Sequence, residues 1–160
     1  MSPRVLILVL LFLFSGAKVC AFTGEVIGVP SGDTIEIEHN GKAQRFRLYG
    51  IDCPVKGQPY DSSARETVLM LSFALEVTLQ SHGKDQQGCI LAEVVLADKT
   101  NVNQKLIKEG LCWWDRQHAP EDTTLEALEA EARRTETGLW VDPAPVPPWE
   151  WRKLSKAKRH

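Results

Sequence analysis

Short segments in which hydrophobic and polar residues alternate dominate the first half of the chain. Residues 33–38 place Ile35 and Ile37 on one face and polar side chains on the other, which is the period-two pattern of a half-buried strand. An Asn-Gly pair at positions 40 and 41 then predicts a hairpin turn. The complete pattern predicts five strands, at residues 23–29, 33–38, 43–49, 76–80 and 90–96.

Helical patterns occupy most of the remaining length. They predict helices at about residues 61–74, 102–109 and 123–137, and Gly110 and Gly138 follow the last two at the position that a C-terminal cap favours. Residues 142–148 contain four prolines and are expected to run extended. This order of elements predicts an all-β barrel with helices (β+α): a five-stranded barrel of the oligonucleotide-binding (OB-fold) type, packed by about three helices.

The N-terminus has the pattern of a secretory signal peptide. Arg4 supplies a positive charge, residues 5–14 form an unbroken apolar run, and small residues follow as far as Ala21. The run is shorter than the about 20 apolar residues that span a bilayer. We therefore expect cleavage after Ala21, with Ala17 as a second choice, and a secreted or periplasmic protein with no stable membrane span. The folded domain is expected to cover residues 22–152.

Charge is distributed unevenly along the chain. Residues 22–151 contain 21 acidic and 12 basic residues, whereas residues 152–160 contain five basic residues and no acid. We expect residues 153–160 to form a disordered basic tail. A protein that depends on phosphate contacts usually has a basic face. The acidic body therefore favours a protein-interaction module with a partner in the cell envelope over a nucleic-acid binder.

Two carboxylates and an arginine lie close together in the sequence. Asp33 follows a predicted turn, and Arg47 and Asp52 flank four residues of mainly apolar character. Carboxylate oxygens are ligands for hard cations such as calcium, and a guanidinium binds phosphate through paired hydrogen bonds. For Arg47 and Asp52, an ion pair that stabilises the barrel explains the pattern equally well.

Several motifs in order resemble the staphylococcal-nuclease (thermonuclease) family across residues 23–152. The motifs are SGDT at 31–34, FRLYGIDCP at 46–54, NVN at 101–103 with Leu106 and Gly110, EAEAR at 129–133, and GLW at 138–140. The ending PPWEWR at 147–152 is similar to that of secreted bacterial members. The resemblance implies the OB-fold barrel and calcium-dependent hydrolysis of phosphodiesters in DNA and RNA.

The resemblance also implies roles for individual residues. Asp33 and Asp52 fall on the two metal-binding aspartates, and the backbone carbonyl of Cys53 falls on a third ligand. Arg47 falls on the first of two phosphate-binding arginines. We expect calcium binding at these vestigial positions to be weak, because a neighbouring carboxylate is missing.

Two catalytic positions of the family are substituted in this chain. Val55 follows Pro54 where the family has a glutamate, and Cys89 ends a Gln-Gly-Cys sequence where the family has Tyr-Gly-Arg. Ser31 also replaces an aspartate of the usual Asp-Gly-Asp-Thr motif. Valine has no oxygen and cysteine has no positive charge. Loss of a general base typically lowers a rate by about 10²–10⁴, and loss of one electrostatic donor by about 10²–10³.

Three functions remain compatible with the sequence. The first is a domain with a degenerate phosphodiesterase site, little or no nuclease activity and weak binding of DNA or RNA. The second is a slow or altered calcium-dependent nuclease that recruits other side chains, for which Lys56, Asp61 and Glu66 are candidates. The third is the envelope protein-interaction module.

Cysteine pairing is expected after secretion. Cleavage after Ala21 leaves Cys53, Cys89 and Cys112, so at least one thiol stays free or pairs between chains. Because Cys53 and Cys89 would flank the same site by resemblance, a disulfide between them is one hypothesis.

Overall fold

The computed structural model describes residues 21–157, and five of the strands form a closed barrel. The elements in chain order are β1 (Ala21–Ser31), β2 (Thr34–His39), β3 (Lys42–Leu48), β4 (Ile51–Asp52), α1 (Asp61–Ser72), β5 (Glu76–Lys84), β6 (Ile90–Val95), α2 (Val102–Lys108), β7 (Trp113–Trp114), α3 (Thr123–Arg134), a 3₁₀ helix (Gly138–Val141) and α4 (Pro148–Ala157). The barrel order is β1-β2-β3-β6-β5, and β4 pairs with β7 in a separate two-stranded sheet.

The barrel confirms the predicted five-stranded fold. β1 is antiparallel to both β2 and β5, while β3 and β6 pair in parallel and close the barrel. Ile35 and Ile37 of β2 are fully buried, as their alternation with polar residues predicts. Strand pairing and burial of the apolar face therefore follow the hydrophobic pattern of the sequence.

A buried asparagine fastens α2 to the parallel strand pair. The Asn103 side-chain amide donates to the backbone oxygens of Tyr49 at 2.9 Å and Ala92 at 3.2 Å. Its Oδ1 accepts a hydrogen bond from the backbone N–H of Val94 at 3.1 Å. Because every polar atom of this buried side chain has a partner, the contact stabilises the packing of α2 on the barrel.

The basic tail differs from its predicted disordered conformation, whereas residues 142–147 before it form neither helix nor strand. α4 begins at Pro148 and continues to Ala157, so it includes five residues of the expected basic tail. A proline fits the first turn of a helix, where its missing N–H has no helical partner. Trp149 of α4 packs edge-on against Trp113, with 5.7 Å between ring centroids. The preceding segment is held by a 2.7 Å hydrogen bond from Gln58 Nε2 to the backbone oxygen of Val146.

The predicted signal peptide, except for Ala21, and the last three residues of the tail lie outside residues 21–157. No helix within the described part of the chain is long and apolar enough to cross a membrane.

Candidate functional site

Most of the site residues predicted from the sequence line one cavity of about 670 Å³ at the end of the barrel. These residues are Asp33, Arg47, Cys53, Val55 and Cys89, together with Lys56. Asp52 lines an adjoining cavity of about 310 Å³, and both cavities share Arg47 and Arg152. The fold therefore brings together residues that are spread over more than half of the chain.

Asp33 lies in the turn between β1 and β2, and its carboxylate is held by three neighbours. Oδ1 accepts hydrogen bonds from the hydroxyls of Ser31 at 2.8 Å and Thr34 at 3.1 Å. Oδ2 accepts a hydrogen bond from the backbone N–H of Cys53 at 3.4 Å. Oδ1 thus stabilises the turn itself, and Oδ2 joins the turn to the segment after β4.

Asp52 is buried and forms a paired hydrogen bond with Arg152. Nη1 of Arg152 donates to Oδ1 at 3.2 Å and Nη2 donates to Oδ2 at 2.5 Å. Burial raises the pKa of Asp52 above its ordinary value, while the hydrogen bonds and charge of Arg152 act in the opposite direction. The same interaction raises the pKa of Arg152, chiefly through the hydrogen bonds to Asp52.

Arg47 projects from β3 between the two aspartates. Its Nη2 lies 3.5 Å from Oδ1 of Asp52 and 4.0 Å from Oδ2 of Asp33. Its side chain is 30% exposed, and it donates no side-chain hydrogen bond to any residue within 21–157. The guanidinium is therefore oriented by charge while its donors remain available to a ligand in the cavity.

Arg152 is a site residue that the sequence analysis missed. It belongs to α4 and reaches a carboxylate 100 residues earlier in the chain. The Pro147-Pro148 pair could have signalled a helix start rather than an extended segment. No local pattern, however, indicates which residue an arginine in that helix contacts.

Neither Val55 nor Cys89 places a carboxylate or a guanidinium in the main cavity. Val55 lies half-buried at its edge and donates its backbone N–H to Oε1 of Gln58 at 3.1 Å. Cys89 is half-buried, and its Sγ lies 3.8 Å from the backbone oxygen of Arg45. Asp85 also lines the cavity, but its Oδ1 accepts the backbone N–H groups of Gln87 and Cys89, both at 2.9 Å.

The acidic residues considered as replacements lie away from the main cavity. Asp61 lines a neighbouring cavity of about 370 Å³, where its Oδ2 accepts the backbone N–H of Gly57 at 2.6 Å. Hydrogen bonding by that N–H is the main cause that lowers the pKa of Asp61. Glu66 is exposed on α1 and lines neither cavity. Only Lys56, which lines both, lies where a recruited residue is expected.

The residues present do not fit a calcium site in this arrangement. Calcium takes six to eight oxygen ligands, but the carboxylate oxygens of Asp33 and Asp52 already accept hydrogen bonds from the protein. Two guanidiniums, those of Arg47 and Arg152, also lie against these aspartates. Within residues 21–157 no three His, Cys, Asp or Glu side chains are grouped so as to hold a metal ion.

The cysteine pairing differs from the Cys53–Cys89 hypothesis, which is wrong. Cys53 forms a disulfide with Cys112, and Cys89 is a free thiol. The reason is the register of β4 and β7, which pairs Asp52 with Trp113 and so brings the next residues, Cys53 and Cys112, together. Cys53 and Cys89 do line the same cavity, and one thiol of the three remains unpaired, as expected from the odd number.

Comparison with known proteins gives the same family as the motifs. The family described as Staphylococcal nuclease homologue matches residues 45–142, which is more than half of the chain. A protein of Escherichia coli named as an uncharacterized endonuclease is 41% identical over 143 residues, which cover 89% of this chain and 93% of that protein. A micrococcal nuclease of Shigella flexneri is 37% identical, over 84% of this chain and 83% of its own length. An uncharacterized endonuclease of Haemophilus influenzae is 32% identical, over 97% and 88%. The chain therefore belongs to the staphylococcal nuclease family.

Proposed function

We propose that this protein is a secreted or periplasmic nuclease-family domain whose phosphodiester-hydrolysis site has degenerated. It has little or no nuclease activity and retains weak binding of DNA or RNA. The observation that carries this proposal is the presence of Val55 and Cys89 in the cavity that holds Asp33 and Arg47. Neither substituted side chain activates water or neutralises phosphate charge.

The carboxylates near the cavity support the loss of hydrolysis. A general base needs a carboxylate oxygen free to accept a proton from the attacking water. Asp33 and Asp85 each accept hydrogen bonds from their own loops, and Asp52 accepts two from Arg152. Among the carboxylates that line the cavity in residues 21–157, only Oδ2 of Asp85 accepts no hydrogen bond, and the other oxygen of that carboxylate is held by its own loop.

The test is an attempt to restore the reaction. Wild-type protein and the double variant Val55→Glu/Cys89→Arg are incubated with single-stranded DNA and calcium. A variant with the same added charges at exposed positions away from the cavity, Met70→Glu/Ala127→Arg, is the matched control. We expect wild type and control to remain at the buffer background and the Val55/Cys89 variant to cleave at least about 100-fold faster. Wild-type cleavage at the rate of that variant would contradict the proposal.

A slow or altered nuclease is the second candidate, and the guanidinium of Arg152 favours it. Arg152 provides a guanidinium in a cavity that has none at position 89, and several similar proteins carry the name endonuclease. In this case wild-type protein cleaves DNA slowly and Arg152→Ala abolishes the cleavage. Cleavage that Arg152→Ala leaves unchanged excludes a role for Arg152 in that reaction.

Export is a further part of the proposal and is supported by the N-terminal pattern of charge, apolar run and small residues. The mass of the mature protein tests it, because cleavage after Ala21 leaves Phe22 as the first residue. The acidic composition of residues 22–151 favours an envelope protein partner as an alternative to nucleic acid. Failure to retain DNA at low salt would favour that alternative.

A further inference from the structure

The main cavity has a basic lining within an acidic domain. Four cationic side chains line it, those of Arg45, Arg47, Lys56 and Arg152, against two lining acids, Asp33 and Asp85. Glu36 pairs with Arg45 at 2.7 Å, and Asp52 contacts both Arg47 and Arg152, so the basic character lies in the unused guanidinium donors. Residues 22–151 as a whole carry a surplus of acids. The cavity is therefore a local site for an anion, which the overall charge of the domain does not indicate.

Arg152 binds both carboxylate oxygens of Asp52, the atoms through which this aspartate would bind a divalent cation. Its two terminal nitrogens bind both oxygens of that carboxylate, and a guanidinium matches a carboxylate in this geometry. A calcium ion that used Asp52 would have to displace Arg152. With Arg47 also within 4.0 Å of both aspartates, the charges of Asp33 and Asp52 are balanced by the protein itself.

We propose that the guanidinium of Arg152 takes the place of a divalent cation beside Asp52, so that Arg47 and Arg152 bind a nucleic-acid phosphate without calcium. The ligand is a phosphate group of single-stranded DNA or RNA. The proposal deepens the nucleic-acid binding stated above and rests on it, but it does not depend on whether any hydrolysis occurs.

Both guanidiniums have donors left for a phosphate. A guanidinium has five N–H groups, and Arg152 uses two of them on Asp52. Its side chain is 41% exposed and that of Arg47 is 30% exposed. The buried Asp52 therefore orients Arg152 while the remaining N–H groups of both arginines are open to the cavity.

The packing of α4 against the domain fixes the position of Arg152. Trp149, three residues before Arg152, packs against the buried Trp113. Trp113 in turn pairs with Asp52 in the β4–β7 sheet. The helix that carries Arg152 and the strand that carries Asp52 are thus fixed to the same tryptophan.

The first experiment measures the affinity of fluorescently labelled single-stranded DNA by anisotropy at low, fixed salt, in EDTA and in calcium. We expect wild-type affinity to agree within about twofold between the two conditions. Arg152→Ala should weaken binding about tenfold or more in EDTA, since a charge-assisted contact with phosphate is lost. Lys153→Ala, which removes one exposed charge from the same helix, should change affinity by no more than about threefold.

A second variant separates binding from folding. Asp52→Asn/Arg152→Gln removes both charges of the pair and leaves two amide side chains that can still hydrogen-bond. We expect it to unfold in the same way as the wild type and to lose DNA affinity as much as Arg152→Ala. If the double variant binds DNA like the wild type, the proposal is wrong.

The third experiment measures binding of calcium alone by isothermal titration calorimetry. We expect Arg152→Ala to bind calcium at least about tenfold more tightly than wild type, because Asp52 is released, and Lys153→Ala to match wild type. Wild-type DNA binding that requires calcium, or an Arg152→Ala variant that behaves like Lys153→Ala, would overturn the proposal. A cleavage assay run in parallel distinguishes this failure from failure of the degenerate-site proposal, because the loss of hydrolysis is contradicted only by wild-type cleavage at the rate of Val55→Glu/Cys89→Arg.

Discussion

Cys53 and Cys112 form a disulfide that continues the antiparallel pairing of β4 and β7. Cys53 directly follows Asp52 and lines the main cavity. The bond therefore joins the strand that carries a site aspartate to the segment that carries Trp113, against which α4 packs.

Removal of this disulfide should lower stability substantially. The two cysteines are 59 residues apart, and the loss of chain entropy for a loop of that length corresponds to about 4 kcal/mol in the free energy of unfolding. We expect Cys53→Ala/Cys112→Ala to show a lower urea midpoint than wild type. Cys89→Ser, which removes the free thiol, should unfold like the wild type. Equal midpoints for all three proteins would show that the disulfide does not stabilise the fold.

Loss of Arg152 should raise the pKa of Asp52 further, because burial then acts without the opposing hydrogen bonds. Carbon-13 NMR titration of the Asp52 carboxyl group measures this shift directly, with Lys153→Ala as the control. A lower or unchanged pKa of Asp52 in Arg152→Ala would contradict the observed pairing.

The same shift predicts how stability changes with pH. An acid whose pKa is raised on folding binds more protons in the folded than in the unfolded state between its two pKa values. The contribution of Asp52 to the free energy of unfolding therefore falls as the pH rises through that interval. In Arg152→Ala this decrease in the free energy of unfolding should continue to higher pH than in wild type. In Asp52→Asn the decrease should be absent. Urea unfolding at a series of pH values measures both effects.

Glu129 of α3 should be important for stability although it lies outside the site. It is 1% exposed, and its carboxylate accepts the backbone N–H of Trp114 at 3.1 Å and Nη2 of Arg116 at 2.5 Å. Replacement by alanine leaves the backbone N–H of the buried Trp114 without a partner and should cost about 1–3 kcal/mol. Glu131→Ala, which breaks only an exposed pair with Arg134, should leave the urea midpoint unchanged. Similar midpoints for the two variants would contradict this difference.

Gly138 should tolerate alanine less well than Gly57. Both have positive φ, +60° and +84°, so alanine is strained at either position by about 1–2 kcal/mol. At Gly138 an added Cβ would also clash with the backbone oxygens of Gly110 and Glu109, whereas nothing lies within 4 Å at Gly57. Thermal unfolding should therefore show a larger decrease in Tm for Gly138→Ala. An equal decrease in Tm would show that the backbone at Glu109 and Gly110 moves away from the added Cβ without loss of stability.

Structural features that depend on residues adjacent in the sequence were predictable from the sequence alone. The burial of Ile35 and Ile37 follows from a period of two, and Gly110 adopts the positive φ that a helix end favours. The helix end predicted at Gly138 was wrong, because α3 ends at Arg134 and Glu136 has the positive φ that follows it. The motifs around Asp33 and Arg47 identified the family and placed both residues in one cavity. Each feature that was predicted correctly depends on a few residues that are adjacent in the sequence.

The sequence by itself thus determined the barrel, the family and the grouping of Asp33, Arg47, Cys53, Val55 and Cys89 in one cavity. Only the tertiary structure decided the partners of Asp52 and Cys53. β4 and β7 are two residues long and have no period to detect, yet their register selects Cys112 over Cys89. Arg152 reaches Asp52 because a helix that begins at a proline packs a tryptophan against the core. These contacts join residues 59 and 100 positions apart in the sequence. They form only in the folded chain, so no pattern of adjacent residues in the sequence indicates them.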